Sequence, residues 1–117
     1  MSYVLGFIVP VPAANRDAYR RMAEEAAPIF KENGAERMVE CWGDDVPDGE
    51  ETSFPMAVKL QPDEVAVFSW IWWPSKDARD AGMAKVMEDP RMKKWKDAMP
   101  FDGKRMIFGG FEVIVDA

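Results

Sequence analysis

The sequence predicts an α+β protein in which an antiparallel sheet carries two main helices on one face. Three observations carry that expectation. Apolar residues alternate with period two in four runs, near residues 3–11, 36–43, 65–73 and 104–115, which is the spacing of strands. Two further runs, near residues 15–33 and 75–88, carry apolar residues at spacings of three and four with stop signals at their ends, which is the spacing of helices. At 117 residues and 48% hydrophobic content the chain fits one domain, residues 1–117, with enough apolar mass for a core that needs no disulfide or metal.

The first strand, Tyr3 to Val11, places Tyr3, Leu5, Phe7, Val9 and Val11 on one face and Val4 and Ile8 on the other. Pro10 and Pro12 are expected to end it. Asn15 is the expected N-cap of a helix whose stripe is Tyr19, Met22, Ala26, Ile29 and Phe30, with a kink at Pro28 and a stop at Asn33-Gly34. Glu36 to Gly43 alternates again, Met38, Glu40 and Trp42 against Val39 and Cys41. An acidic, turn-rich stretch through Asp44, Asp45, Pro47, Asp48 and Gly49 leads to a short strand expected at Met56 to Leu60. Val65 to Trp73 is the strongest strand, with Ala66, Phe68, Trp70 and Trp72 opposite Val67, Ser69, Ile71 and Trp73. Ser75 caps a second helix, Lys76 to Glu88, with Ala78, Ala81, Met83, Ala84, Val86 and Met87 mostly inward. Asp89-Pro90 breaks it, a helical segment runs from Arg91 to about Ala98, and Lys104 to Val115 forms the last strand, where Gly109-Gly110 marks a bulge or a close backbone approach.

The order strand, helix, two or three strands, helix, strand is the ferredoxin-like arrangement. Two helices cover one face of such a sheet. Three of the strands are apolar on both faces, so the second face needs a cover of its own. A second copy of the chain is the simplest cover and would bury on the order of 800 Å² per partner. The alternative is a monomer in which Met56 to Leu60 or Arg91 to Ala98 folds back over the sheet.

Composition removes several function classes. The chain has no histidine, and so lacks the usual proton shuttle near neutral pH, the commonest zinc and haem ligand, and any Ser-His or Cys-His nucleophile. One cysteine, Cys41, forms no intramolecular disulfide or cysteine cluster, so no metal and no cofactor are expected. The start of the chain has no leader pattern and the longest apolar run, Val65 to Trp73, is far short of the roughly 18 to 20 residues that span a bilayer, so a cytoplasmic protein is expected. A net charge of −6 repels a phosphate backbone. The one basic patch, Arg91, Lys93, Lys94 and Lys96 around Trp95, is flanked by Asp89 and Asp97 and reads as a solvated helix, leaving RNA binding a remote alternative.

The runs Glu40-Cys41-Trp42, Asp45-Val46-Pro47-Asp48-Gly49, Met56-Ala57-Val58-Lys59, Phe68-Ser69-Trp70-Ile71, Asp89-Pro90-Arg91-Met92 and Met99-Pro100-Phe101-Asp102-Gly103-Lys104-Arg105-Met106 resemble the YbaA-like family of bacterial proteins over nearly the whole chain. That family is a domain of unknown function, so the resemblance implies a fold and no chemistry. More distantly the chain resembles the dimeric α/β-barrel superfamily, which includes antibiotic-biosynthesis-type monooxygenases and haem-degrading enzymes. In those oxygenases a tryptophan closes the strand before the second helix and a histidine lies on that helix. Trp73 matches the first position, and a gap-free count puts Gly82 at the second. Glycine neither ligates haem nor moves a proton, so what the resemblance implies here is at most cofactor-free oxidation of a substrate that activates oxygen itself.

Among candidate site residues, Glu40 stands first, since a carboxylate among aromatic side chains can have a raised pKa suited to acid or base work. The alternative is a structural carboxylate paired with Lys59 or Arg105. Trp42, Trp70 and Trp73, with Arg105, are the candidate ligand-binding residues, an aromatic wall with a bidentate cation; aromatic residues at strand spacing otherwise serve the core or an interface. Cys41, beside Glu40, reads as a small buried apolar residue and not as a lowered-pKa thiolate. Arg79-Asp80 and Arg91 read as surface ion pairs. Two functions follow: a small-molecule-binding or cofactor-free enzyme with a pocket between sheet and helices, or a non-enzymatic binding or interaction module.

Overall fold

Four strands form one antiparallel sheet in the computed structural model, which describes residues 2–117. In chain order the elements are β1 (Tyr3–Pro12), a short 3-10 turn (Ala13–Asn15), α1 (Arg16–Glu32), β2 (Arg37–Trp42), α2 (Phe54–Ala57), β3 (Glu64–Trp73), α3 (Lys76–Glu88), α4 (Pro90–Lys93) and β4 (Ile107–Glu112). The strand order is β2-β3-β1-β4 with every pair antiparallel, which is ferredoxin-like topology. β1 and β3, the two most apolar runs, therefore occupy the centre, where both edges of each find a partner.

The helices lie on the face that carries the odd-numbered residues of β1 and β3. Leu5 and Ile71 pair across those strands and, with Ala26, Ile29 and Phe30 of α1 and Val86 of α3, surround the fully buried Trp73. A second cluster nearer the start of α1 joins Val9, Val11, Val67 and Tyr19 to the flanking Met22, Trp42, Phe101 and Met106. Full burial of each such aliphatic side chain is worth about 1.5–3 kcal/mol, so these two clusters hold the helices on the sheet. The expected α1 stripe is the one observed, with Tyr19, Ala26, Ile29 and Phe30 buried.

Several expectations are corrected. β1 continues through Pro10 to Pro12, because pairing with β4 stops at Ile8 and beyond it β1 has a neighbour on one side only, leaving room for residues without an N–H. α1 runs unbroken through Pro28, which sits on its exposed side. Asn15 holds the N-cap position, but its side chain donates to the Pro100 carbonyl at 3.0 Å instead of capping the helix. Met56 to Leu60 is not a strand. Ser53 accepts from the Met56 N–H and Pro55 sits in the first turn, so the segment starts as α2, then turns through Lys59 at φ 49°. On α3 the inward stripe is Ala78, Gly82, Met83 and Val86, while Ala81, Ala84 and Met87 lie outside it; the glycine hid the true i, i+4 line. α4 ends at Lys93, short of Ala98, and β4 is shorter than the run 104–115. The β1–β4 register is unbroken, so Gly109-Gly110 is no bulge: a Cβ at Gly110 would overlap the Tyr3 phenol, and the glycine lets that ring cross the strand.

The opposite face is covered at one end only. Val58 and Leu60 lie over Ile8 and Ala66, and the Phe54 ring meets Phe68 edge-on at 5.9 Å. The remainder is an apolar bowl of about 590 Å³ whose wall includes Val4, Trp70, Trp72 and Phe111. Phe111 is 62% and Ile107 43% exposed there, on the face their partners Val4 and Ile8 share. The segment Met56 to Leu60 thus does fold over the sheet, while Arg91 to Ala98 packs toward α1 and leaves the bowl open.

Candidate functional site

The strongest concentration of chemistry lies on the helix face where α1 crosses β2. Glu40 projects from β2 between Met38 and Trp42, and Ser69 of β3 is its cross-strand partner. Tyr19 comes down from the first turns of α1 and donates its hydroxyl to Glu40 Oε1 at 2.6 Å. Neither lysine nor arginine lies within ion-pair distance of this carboxylate among the described residues; Arg105 is held by Glu64 and Asp102, so the pairing expected with Lys59 or Arg105 is not formed. Removal from water pushes the Glu40 carboxyl above its ordinary value of 4.5, and hydrogen bonds from Tyr19 and Ser69 oppose that rise without cancelling it. Burial beside the Glu40 charge pushes the Tyr19 phenol far up, so it is a fixed hydrogen-bond donor and not a titrating acid near neutrality.

A strap covers this pair. Among the described residues, the backbone-to-backbone bonds made between Lys96 and Met106 are local turn bonds, Lys96 to Lys93, Ala98 to Trp95 and Arg105 to Asp102. Pro100 is buried, held by Asn15, and the Phe101 ring meets Tyr19 edge-on at 5.8 Å. Arg105 anchors the far end with a bidentate grip on Glu64 at 2.5 and 2.7 Å, an Nε contact to Asp102 at 2.8 Å and a bond to the Lys59 carbonyl at 2.9 Å. The Arg105 guanidinium holds the Glu64 and Asp102 carboxyls below their ordinary range. Its donors point into the protein, so Arg105 fastens the strap.

The other sequence-derived candidates are not gathered into one pocket. Trp42 adjoins Glu40, packs on the Tyr19 cluster and carries the Arg16 guanidinium 5.5 Å from its ring centroid. Trp73 is fully buried in the neighbouring cluster, its Nε1 without a partner among the described residues. Trp70 lies on the opposite face beside Phe68, ring centroids 5.4 Å apart. Cys41 also faces that side, half-buried instead of buried, in a cleft of about 360 Å³ with Phe54 and Phe68. Arg91 pairs with Glu32 at 2.6 Å and Asp89 at 2.8 Å, Lys93 with Glu88 at 3.8 Å, and Lys94 with Glu25 at 3.2 Å, so the basic patch is largely neutralised. Sequence reading passed over Tyr19, Phe101 and Arg16. Tyr19 was visible only as one apolar position of the α1 stripe, whereas a phenol in a buried stripe needs an acceptor and Glu40 was the candidate on the adjoining strand. Among the described residues no helix is long and apolar enough to cross a membrane.

The chain is 63% identical over 116 residues to the uncharacterised protein YbaA of Escherichia coli strain K12, covering 99% of each, and equally to that of Shigella flexneri. Among solved structures it resembles a point mutant of SnoaB, a cofactor-independent oxygenase from Streptomyces nogalater, with TM-score 0.62 at 13% identity over 98% of this chain and 95% of that one. It also resembles an uncharacterised NIPSNAP domain protein from Burkholderia xenovorans, with TM-score 0.63 at 14% identity over 98% and 97%. A putative antibiotic biosynthesis monooxygenase from Nitrosomonas europaea follows, with TM-score 0.56 at 10% identity over 97% and 90%. Identities this low speak for the fold alone. The chain belongs to the family described as Protein of unknown function (DUF1428), whose model matches residues 2–103.

Proposed function

We propose that the protein is a cofactor-free, homodimeric enzyme of the cytoplasm that abstracts a proton from a small organic carbon acid, with Glu40 as the base. The observation that carries this reading is the Tyr19–Glu40 pair, a carboxylate withdrawn from water, bonded at 2.6 Å to a phenol and, among the described residues, free of any cation. Desolvation makes such a carboxylate a stronger base, and the Tyr19 hydroxyl fixes its orientation. In the step, a substrate C–H bond breaks, its proton goes to Glu40, and its electron pair stays on the substrate as an enolate. With no histidine in the chain, Glu40 is the best-placed group for that transfer. The SnoaB likeness adds a sequel, since an enolate is electron-rich enough to react with oxygen without a cofactor. The chain acts as one domain, and the aromatic bowl is the dimer face, because an apolar concavity with Phe111 62%, Phe68 46% and Ile107 43% exposed exceeds what a soluble monomer tolerates.

A second reading, a binding module without chemistry, draws on Trp73 and Phe101 filling the space between sheet and helices. Deuterium uptake at the acidic carbon of 2-tetralone and of aryl 1,3-diketones, followed by NMR in heavy water, separates the two. The enzyme reading expects uptake accelerated by the protein and lost in Glu40→Gln. Equal rates with both proteins and with buffer would leave the binding module.

A further inference from the structure

We infer that the Glu40 site takes a small aromatic carboxylate and that Arg16 is the residue that selects it. This rests on the reading of Tyr19 and Glu40 as a site and adds the class of molecule it receives. Arg16 opens α1 three residues before Tyr19, so the two side chains share one helix face. Trp42 follows Glu40 by two residues on β2, so those two share one sheet face. The Arg16 guanidinium lies 5.5 Å from the Trp42 ring centroid, and the Tyr19 hydroxyl 2.6 Å from Glu40. Both contacts join α1 to β2, one helical turn apart, so a cation and a base stand side by side along a single seam. Arg16 is exposed, which puts it at the mouth of that seam.

Arg16 also lacks a carboxylate of its own. Arg20, Arg79, Arg91 and Arg105 each have one within ion-pair distance; among the described residues Arg16, Arg21 and Arg37 have none, and of these three Arg16 is the one that lies over an aromatic ring, in a chain of net charge −6. A guanidinium lying over an aromatic ring uses its face and keeps its N–H edge free. That edge is a planar fork that grips a carboxylate with two parallel hydrogen bonds. The chemistry of the neighbouring base calls for such a group. The Glu40 carboxylate repels an incoming anion, and a fixed cation one turn away offsets that repulsion; it also stabilises the negative charge that appears on the ligand when its proton leaves. The rings of Trp42, Tyr19 and Phe101 around the seam match the apolar part of an aromatic acid.

The test uses the whole protein labelled with nitrogen-15 and two probes of one shape, sodium benzoate and benzyl alcohol, each added to about 20 mM, a range suited to millimolar affinity. The Trp42 indole N–H, assigned with Trp42→Phe, and the Arg16 Nε–H are followed by NMR. Benzoate is expected to shift both resonances saturably and benzyl alcohol neither. Arg16→Gln should weaken benzoate by about tenfold or more, the scale of a lost charge-assisted pair, whereas Glu40→Gln should bind it as well as or better than the parent. No saturable shift with benzoate, an equal response to benzyl alcohol, or undiminished binding in Arg16→Gln would each overturn the inference. Because Glu40→Gln is expected to bind, benzoate selection by Arg16 together with proton exchange indifferent to Glu40→Gln would sink the enzyme reading while upholding this one.

Discussion

Gly82→Ala adds one methyl group to α3 and should destabilise the protein, although alanine is the better helix former. A Cβ at Gly82 would overlap Trp73 Cζ3, lie 2.8 Å from Trp73 Cη2 and fall 2.5 Å from the Asn33 carbonyl oxygen. Trp73 is fully buried among Ile29, Phe30 and Val86, and the Asn33 carbonyl belongs to the backbone that turns out of α1, so neither neighbour can step aside alone. Relief requires α3 to move off the sheet. Helix propensity favours the substitution by about 0.8–1.0 kcal/mol. Overpacking of a well-filled core costs about 1–3 kcal/mol, and the approach here is closer than real Cβ contacts reach, which puts the cost at the upper end. The net expectation is a loss of about 2 kcal/mol, seen as a lower urea midpoint at unchanged m-value and a melting temperature lower by roughly 6–10 °C. An unchanged or raised midpoint would refute the claim that Trp73 and α3 are in hard contact at this position.

On the bowl, Phe111→Asp should convert a particle of about twice the 13.3 kDa chain mass into a monomer by light scattering; a parent that is already monomeric would contradict the dimer. Arg105→Gln should free the strap, read as faster hydrogen exchange at residues 96–106, with little change in α1 and β3. That clamp also sets a pH dependence. Glu64 and Asp102 have lowered folded-state pKa values, so their contribution is full above the unfolded values near 4 and is lost as pH falls through the folded ones, and Arg105→Gln should flatten the acid limb of stability. Glu40 has the opposite sign. Its raised value gives a contribution present below the ordinary 4.5 and lost as pH rises through the folded value, so Glu40→Gln should remove a decline in melting temperature on that side.

The sheet and its two helices were legible because each rests on a periodicity that a sequence displays directly, and the same periodicity assigned the faces of β1, β2 and β3. Met56 to Leu60 misled because its apolar residues fit a short strand, while the deciding facts were a serine cap and a proline in the first turn, signals of a helix start. α3 misled through Gly82, which is inward for lack of bulk and not for hydrophobicity. Asn15 was assigned to the nearest helix, yet its partner is the Pro100 carbonyl, 85 residues away. At the candidate site, Glu40 and Trp42 could be placed together because they share a strand face. Tyr19, Phe101 and Arg16 reach them from a helix and a strap, and contacts of that range leave no trace in local pattern. The expected aromatic wall dissolved for the same reason that made it look continuous: Trp70 and Trp73 lie at odd spacing on one strand, so the pleat sends them to opposite faces.

The central claim is that Glu40 is a desolvated base held by Tyr19, and carbon-13 carboxyl NMR titration of the labelled protein, with Glu40→Gln supplying the assignment, tests it most directly. A titration midpoint clearly above the ordinary 4.5, moving higher still in Tyr19→Phe as the stabilising hydrogen bond is lost, is the predicted result. A midpoint at or below the ordinary value, unmoved by Tyr19→Phe, would contradict the account and make Glu40 a structural carboxylate.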